Sequence, residues 1–366
     1  GLNPTTGITV TGTLTLAGNS GANRLLVYSS TFGTALTITN TGATMTWSNV
    51  DFRDITLSTA YDASGITGGS GDCGGNTGIT FTTADDWYWN GSGTRNLSDY
   101  TYWYTATNGG GSQMASTRAP LPQDTLYING DSIDGATTID QDMPRIPTID
   151  FTGTAAMAFH INNIDQDCYG SFILSSNVTL TQGSGAYFQF VGRGGSYTFT
   201  TASKVFNAWD DAAYFTIATI SGTVSLTDTF TVRKFYLSHG AFDVSASDAD
   251  VNAYQFSASY TTTRTLNMGD GTWTISGEYD NQFSWNISTT TNLTFNAGTG
   301  TLKFTKTGNQ TIHTGGLTYN NMWIAGGGSG ISTLTGSGTF NELKITAPKT
   351  VKFTDGTTTT VSSLVA

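Results

Sequence analysis

The stretch L-T-Y-N-N-M-W-I at Leu317–Ile324 is answered 21 residues later by G-T-F-N-E-L-K-I at Gly338–Ile345, and 21 further on by T-T-V-S-S-L-V-A at Thr359–Ala366. Thr318, Thr339 and Thr360 align, as do Tyr319, Phe340 and Val361, then Met322, Leu343 and Leu364. A period of about 20 residues carrying short strands is the mark of stacked repeats, since one repeat cannot bury its apolar side alone. The expectation is an all-β chain folded as a parallel β-solenoid (β-helix), right-handed by the usual crossover rule. The competing reading is an antiparallel sandwich with chance likeness between strands.

Composition points the same way. Of 366 residues 45 are Gly and 6 are Pro, and Glu occurs only at Glu278 and Glu342. Good helix formers are scarce, while Thr, Val, Ile and aromatics favour strands. At the other end of the chain I-T-V-T-G-T-L-T-L (8–16) alternates apolar residues with Thr, as a half-buried strand does. Further strands are expected at Leu25–Tyr28, Ala35–Thr39, Thr44–Trp47 and Asp51–Leu57, at a spacing that gives two strands per repeat of about 20 residues. From 170 onward the same spacing recurs, through Phe215–Ile220, Thr223–Leu226, Phe235–Leu237, Trp273–Ile275 and Leu302–Phe304.

Residues 61–80 read as a glycine-rich loop. G-S-G-D-C-G (69–74) fits G-x-G-x-x-G, yet no helix follows to make it a dinucleotide site. Seven aromatics then cluster around a Gly/Ser turn between Trp87 and Tyr104. This predicts N-terminal repeats over 1–60, an inserted aromatic-rich β subdomain over 61–130, and the main solenoid over 131–366. Within the insertion Trp87, Trp89, Tyr102 and Trp103 have two readings. They are the core of a small subdomain, which is the preferred one, or an exposed platform for a sugar or protein.

The formal charge is −11 and the 15 basic residues form no run, which argues against nucleic acid. No apolar run reaches the ~20 residues of a membrane helix. Gly1-Leu2-Asn3-Pro4 reads as a processed, trimmed or mid-chain start, so the lack of a leader says little about export. Cys73 and Cys168 are expected as two buried thiols, with a disulfide as the alternative. No Cys/His spacing suggests zinc. I-D-Q-D occurs at 139–142 and 164–167, so Asp140, Asp142, Asp165 and Asp167 are weak candidates for Ca²⁺, and no other cofactor is expected.

Catalytic motifs are missing. Asp210 with Asp211, or Asp248 with Asp250, are the carboxylates available for polysaccharide cleavage, but adjacent strand residues point to opposite faces. The chain is therefore expected not to be an enzyme. With the third repeat running out at Ala366 and no cap in view, the solenoid is expected to continue beyond 366 or to dock there on another subunit.

Five phrases carry a resemblance: G-D-C-G-G-N-T-G-I-T-F-T (71–82), the W-x-x-x-G hairpin (89–103), L-P-Q-D-T (121–125), R-I-P-T-I-D-F-T-G (145–153) and T-A-P-K-T-V-K-F-T-D-G-T-T-T-T-V-S-S-L (346–364). They resemble β-solenoid virion proteins of tailed, notably marine, bacteriophages, and less closely bacterial autotransporter-type adhesins. The resemblance implies a tail- or fibre-associated rod on the virion surface or another extracellular place. Its partners would be other virion or self subunits in a homo-oligomer, and a cell-surface glycan, without membrane insertion. An adhesin or filament subunit and a polysaccharide depolymerase are the alternatives. It carries over no site residue, and 180–290 departs from it.

Overall fold

The computed structural model describes residues 1–130, 133–185, 187–206, 214–278 and 283–366. The chain is all-β, 52% strand and 1% helical, and its sheets are long and parallel. One single-turn helix, Tyr100–Tyr102, is present among the described residues. Trp103–Tyr104 against Asp86–Trp89 is the one antiparallel strand pair among them, extended by a bridge from Tyr104 to Gln113.

The opening alignment is a hydrogen-bonded register. Thr318 pairs with Thr339 and Thr339 with Thr360; Tyr319, Phe340 and Val361 follow, as do Met322, Leu343 and Leu364. A parallel pair keeps side-chain parity, so apolar residues lie over apolar ones and polar over polar.

The chain forms two compact units. The first comprises 1–183 and 191–193, the second 184–190 and 194–366. No division falls at 61 or 131. The reason lies in the pairing: Asp86–Trp89 and Gly91–Asn96, inside the expected insertion, are rungs of parallel ladders. Asp86–Trp89 pairs with Thr125–Tyr127, which pairs with Thr148–Asp150. Gly91–Asn96 pairs with Ile133–Gln141, and that strand with Met157–Ile161 and then Val178–Gln182.

In the first unit the glycine-rich stretch expected as a loop contains two strands, Thr67–Asp72 and Thr77–Thr80. Thr67–Asp72 pairs with Thr44–Arg53, and its glycines are buried. A Cβ on Gly71 would overlap the Asp51 carboxylate and one on Gly68 the Asn49 side chain. Glycine is there because neighbouring polar side chains lie flat on its backbone. The Asp51 carboxylate belongs to a buried charge network. Arg24 Nε and Arg145 Nε donate to the two oxygens of Asp51 at 2.7 and 2.6 Å. Arg24 also donates to the carbonyls of Gly68, Gly69 and Val50. Arg193 pairs with Asp54, and Arg53 faces Asp167 at 3.6 Å. The fully buried Cys73 and Cys168 are free thiols.

The second unit is organised by a column of inward residues in successive register: Phe188, Phe215, Phe235, Phe256, Trp285, Ile312, Leu334 and Phe353. All but the last are buried. Around residues 215–275 each repeat holds three ladder positions, where the sequence spacing suggested two; from 310 onward the two expected strands per repeat form, 310–313 and 318–324 pairing with 331–335 and 339–345, and these with 350–353 and 360–365. Between Phe235 and Phe256, for example, Ala241–Asp243 pairs with Thr223–Ser225, and Val251–Ala253 with Trp273–Ile275. The extra position was hidden because Phe215–Leu226 runs through two ladders and Phe230–Asp243 through three without a turn residue that breaks the strand.

Candidate functional site

The aromatic residues singled out in the sequence pack on one another. Trp89 and Trp103 are fully buried and meet edge to face at 5.1 Å, and Trp103 Nε1 donates to the Leu97 carbonyl at 2.9 Å. Tyr102 stacks on Trp89 at 5.2 Å, with Arg95 over its ring and Gly91 beneath it. Trp87 is buried under the Arg118 guanidinium. Arg118 holds both oxygens of Asp124 at 2.8 Å and Asp85 at 2.8 Å. Gln123 donates to the carbonyls of Ser70 and Thr82 and accepts from the Asp72 N–H. L-P-Q-D-T thus works as a staple between chain segments. As a solvent-facing platform these indoles offer no open ring face.

Of the four aspartates in the I-D-Q-D stretches, Asp142 and Asp167 have side-chain partners. Asp142 accepts from the backbone and hydroxyl of Ser98. Asp140 stands in register with Asn96 and His160 on an outward column. Asp165 precedes the strand Gln166–Cys168. Asp167 lies against Arg53 and Tyr169, and burial raises its carboxyl pKa against the pull of Arg53. Among the described residues no three His, Cys, Asp or Glu side chains group to hold a metal ion. Asp248 and Asp250 cap the following repeat, accepting from Asp270 N–H at 2.9 Å and Thr272 N–H at 2.7 Å. Asp210 and Asp211 lie outside the described residues. Burial pushes the Cys168 thiol up to about 12 and drives Cys73 higher still, so neither is a ready nucleophile.

Two clefts among the described residues belong to the second unit. One, of about 450 Å³, sits where strands bulge at 218–223 and at Gly240. Hydroxyls of Thr219, Ser221, Thr223, Thr262 and Thr265 line it with His239. Among the described residues that line it none is a carboxylate. The other, of about 360 Å³, is lined by Thr231, Arg233, Asn252, Tyr254, Thr274 and Ser276. Arg233 lies 4.6 Å over the Tyr254 ring, and Gly277 lets that ring pack against the backbone.

The second cleft continues along one outward column. Thr231 pairs with Asn252, Asn252 with Thr274, Thr274 with Lys303, Lys303 with Trp323 and Trp323 with Lys344. Trp323 is half-buried, with Lys303 Nζ and Lys344 Nζ each 4.4 Å from its ring, one from each neighbouring strand. Its Nε1 donates to Thr346 Oγ1 at 2.9 Å. The repeat alignment already set Trp323 opposite Lys344, but Lys303 enters the column only through pairings across repeats of unequal length, and Arg233 stands beside the column, two residues along the strand from Thr231. No family model, no curated protein and no solved structure matches this chain.

Proposed function

We propose that the parallel ladders of each unit are the faces of a β-solenoid, right-handed by the crossover rule, and that the chain works by binding and assembly rather than by turnover. Its place would be the virion surface of a phage, as a structural or receptor-binding component among other virion or self subunits in a homo-oligomer. The observation that carries the binding reading is how the polar groups of the second unit are used. The carboxylates of Asp248 and Asp250 are spent on backbone N–H groups. Meanwhile hydroxyl, amide and cationic side chains line its open clefts. The phage placement rests on the five sequence phrases alone.

The test pairs native mass with activity. A closed oligomer that adsorbs to host cells and releases no reducing ends or unsaturated uronates from their polysaccharides is the expected result. An open polymer would favour a filament or adhesin subunit instead. Sustained release of sugar would make it a depolymerase and end the proposal.

A further inference from the structure

We infer that the outward column from the Arg233–Tyr254 cleft to Lys344 is a binding track for an acidic polysaccharide, a polyuronate. The inference rests on the reading of the chain as a binder and names what it binds.

Charge is the first argument. The chain carries −11 overall, but residues 283–366 hold five lysines against Glu342 and Asp355. Two of these lysines are already used: Lys306 pairs with Glu278 at 2.9 Å, and Lys349 donates to the carbonyls of Lys306, Thr307 and Gly308. Lys303 and Lys344 have no carboxylate partner among the described residues and rest on the faces of an indole. The adjoining column carries one acid, Glu342, in register with Asn321.

The second argument is the kind of side chain. Cations alternate with aromatic rings, Arg233 with Tyr254 and the two lysines with Trp323, and amide and hydroxyl groups lie between them. A bare anion needs no ring, and a neutral sugar needs no cation. A uronate chain presents C–H faces to rings, hydroxyls to Asn252 and Thr274, and a carboxylate to the ammoniums of Lys303 and Lys344. The third argument is continuity. The positions follow one another in hydrogen-bonded register, so their spacing repeats at the inter-strand distance and suits a polymer better than a compact ligand.

Polygalacturonate, dextran sulfate and unmodified dextran, titrated calorimetrically against the full chain, test this. Polygalacturonate should bind and dextran should not, and affinity should fall as NaCl rises from about 0.05 to 0.5 M. K303Q/K344Q and W323A should each weaken binding about tenfold or more, because each removes a charge-assisted or ring contact. K352Q alters an exposed lysine on a different ladder and should change little. Equal weakening by K352Q would mean diffuse charge attraction, and binding of dextran sulfate without polygalacturonate would mean a different ligand; either overturns the inference. Failure to bind polygalacturonate while host cells are still bound sinks this inference alone. New reducing ends from polygalacturonate would sink the binding reading beneath it.

Discussion

The two units solve the same packing problem with different chemistry. In the second, Phe215 lies among Phe188, Phe199, Phe206, Phe230 and Phe235, with centroid distances of 4.8–5.9 Å. In the first, a comparable depth of the interior holds Asp51 between two guanidiniums, with Asp54 and Asp167 paired nearby. In-register repeats set like residues over like, so an aromatic column extends itself without directional bonds. Where segments distant in sequence meet side by side, as residues 24, 51 and 145 do, shape alone specifies little and charge pairs fix the match. The physical cost is desolvation, so the network is a device for specificity more than for stability.

That contrast can be broken most sharply at Asp51. Asp51→Asn leaves Arg24 and Arg145 buried without a counter-charge and should destabilise the first unit by ~3–5 kcal/mol. Replacing the triad together by Leu at 51 and Met at 24 and 145 should cost far less, because it removes the charges along with the pairing. Urea titration followed by hydrogen exchange in each unit measures both. Equal losses from the single and triple changes would mean that the pairs supply net stability and that the contrast has been misread.

Much of this was legible in the chain and some of it was not. The alternation at Leu302–Phe304 and the 21-residue echo at 318, 339 and 360 gave strands and register because parity and period are local signals. Thr67–Asp72 was unreadable as a strand because what holds its glycines is the Arg24–Asp51 pair, supplied by distant segments. Asp51 itself sits in a segment expected as a strand, but nothing local marks it as buried. The Asp248 and Asp250 carboxylates looked like candidate acids, yet their partners are N–H groups of the next repeat, 22 residues on. The Lys303–Trp323–Lys344 column needed the register of three strands at once.

Alkaline stability separates the units again, by a smaller amount. Both thiols lie in the first unit, and burial holds their folded pKa values above the ordinary ~8.5 of an unfolded cysteine. A raised folded pKa means that the contribution is complete below that unfolded value and is lost as pH rises toward the folded one. The unfolded chain then binds fewer protons than the folded one, so stability falls by about 1.4 kcal/mol per pH unit per thiol. Between about pH 8.5 and 9.5, before tyrosines begin to titrate, the first unit should weaken and C73A/C168A should flatten its slope. Stability that stays level in the parent protein across this window would mean the thiols are solvated. Thiol reagents should leave the native protein unlabelled and label two groups on unfolding.

The smallest expected effect is at Trp323, and its smallness is informative. Trp273 and Trp323 are tryptophans of the same unit at neighbouring positions of one ladder system. Trp273 is fully buried and meets Phe235, Phe242, Phe256 and Trp285, whereas Trp323 stands outward between two lysines. An indole placed for packing is missed when removed, as Trp89 in the first unit should also be. Two cation–π contacts at the half-buried surface are worth only about 0.5–1 kcal/mol each and trade against hydration of the freed ammoniums. Trp323→Ala should therefore change the urea midpoint of the second unit by less than about 1 kcal/mol equivalent. The inward neighbours Met322 and Ile324, fully buried in the next ladder positions, keep the strand in place without it. A loss of several kcal/mol would make the ring a structural clamp. The lysines would then be its lid, and the cationic column would have no reason to be kept free of acids other than the strand's own folding.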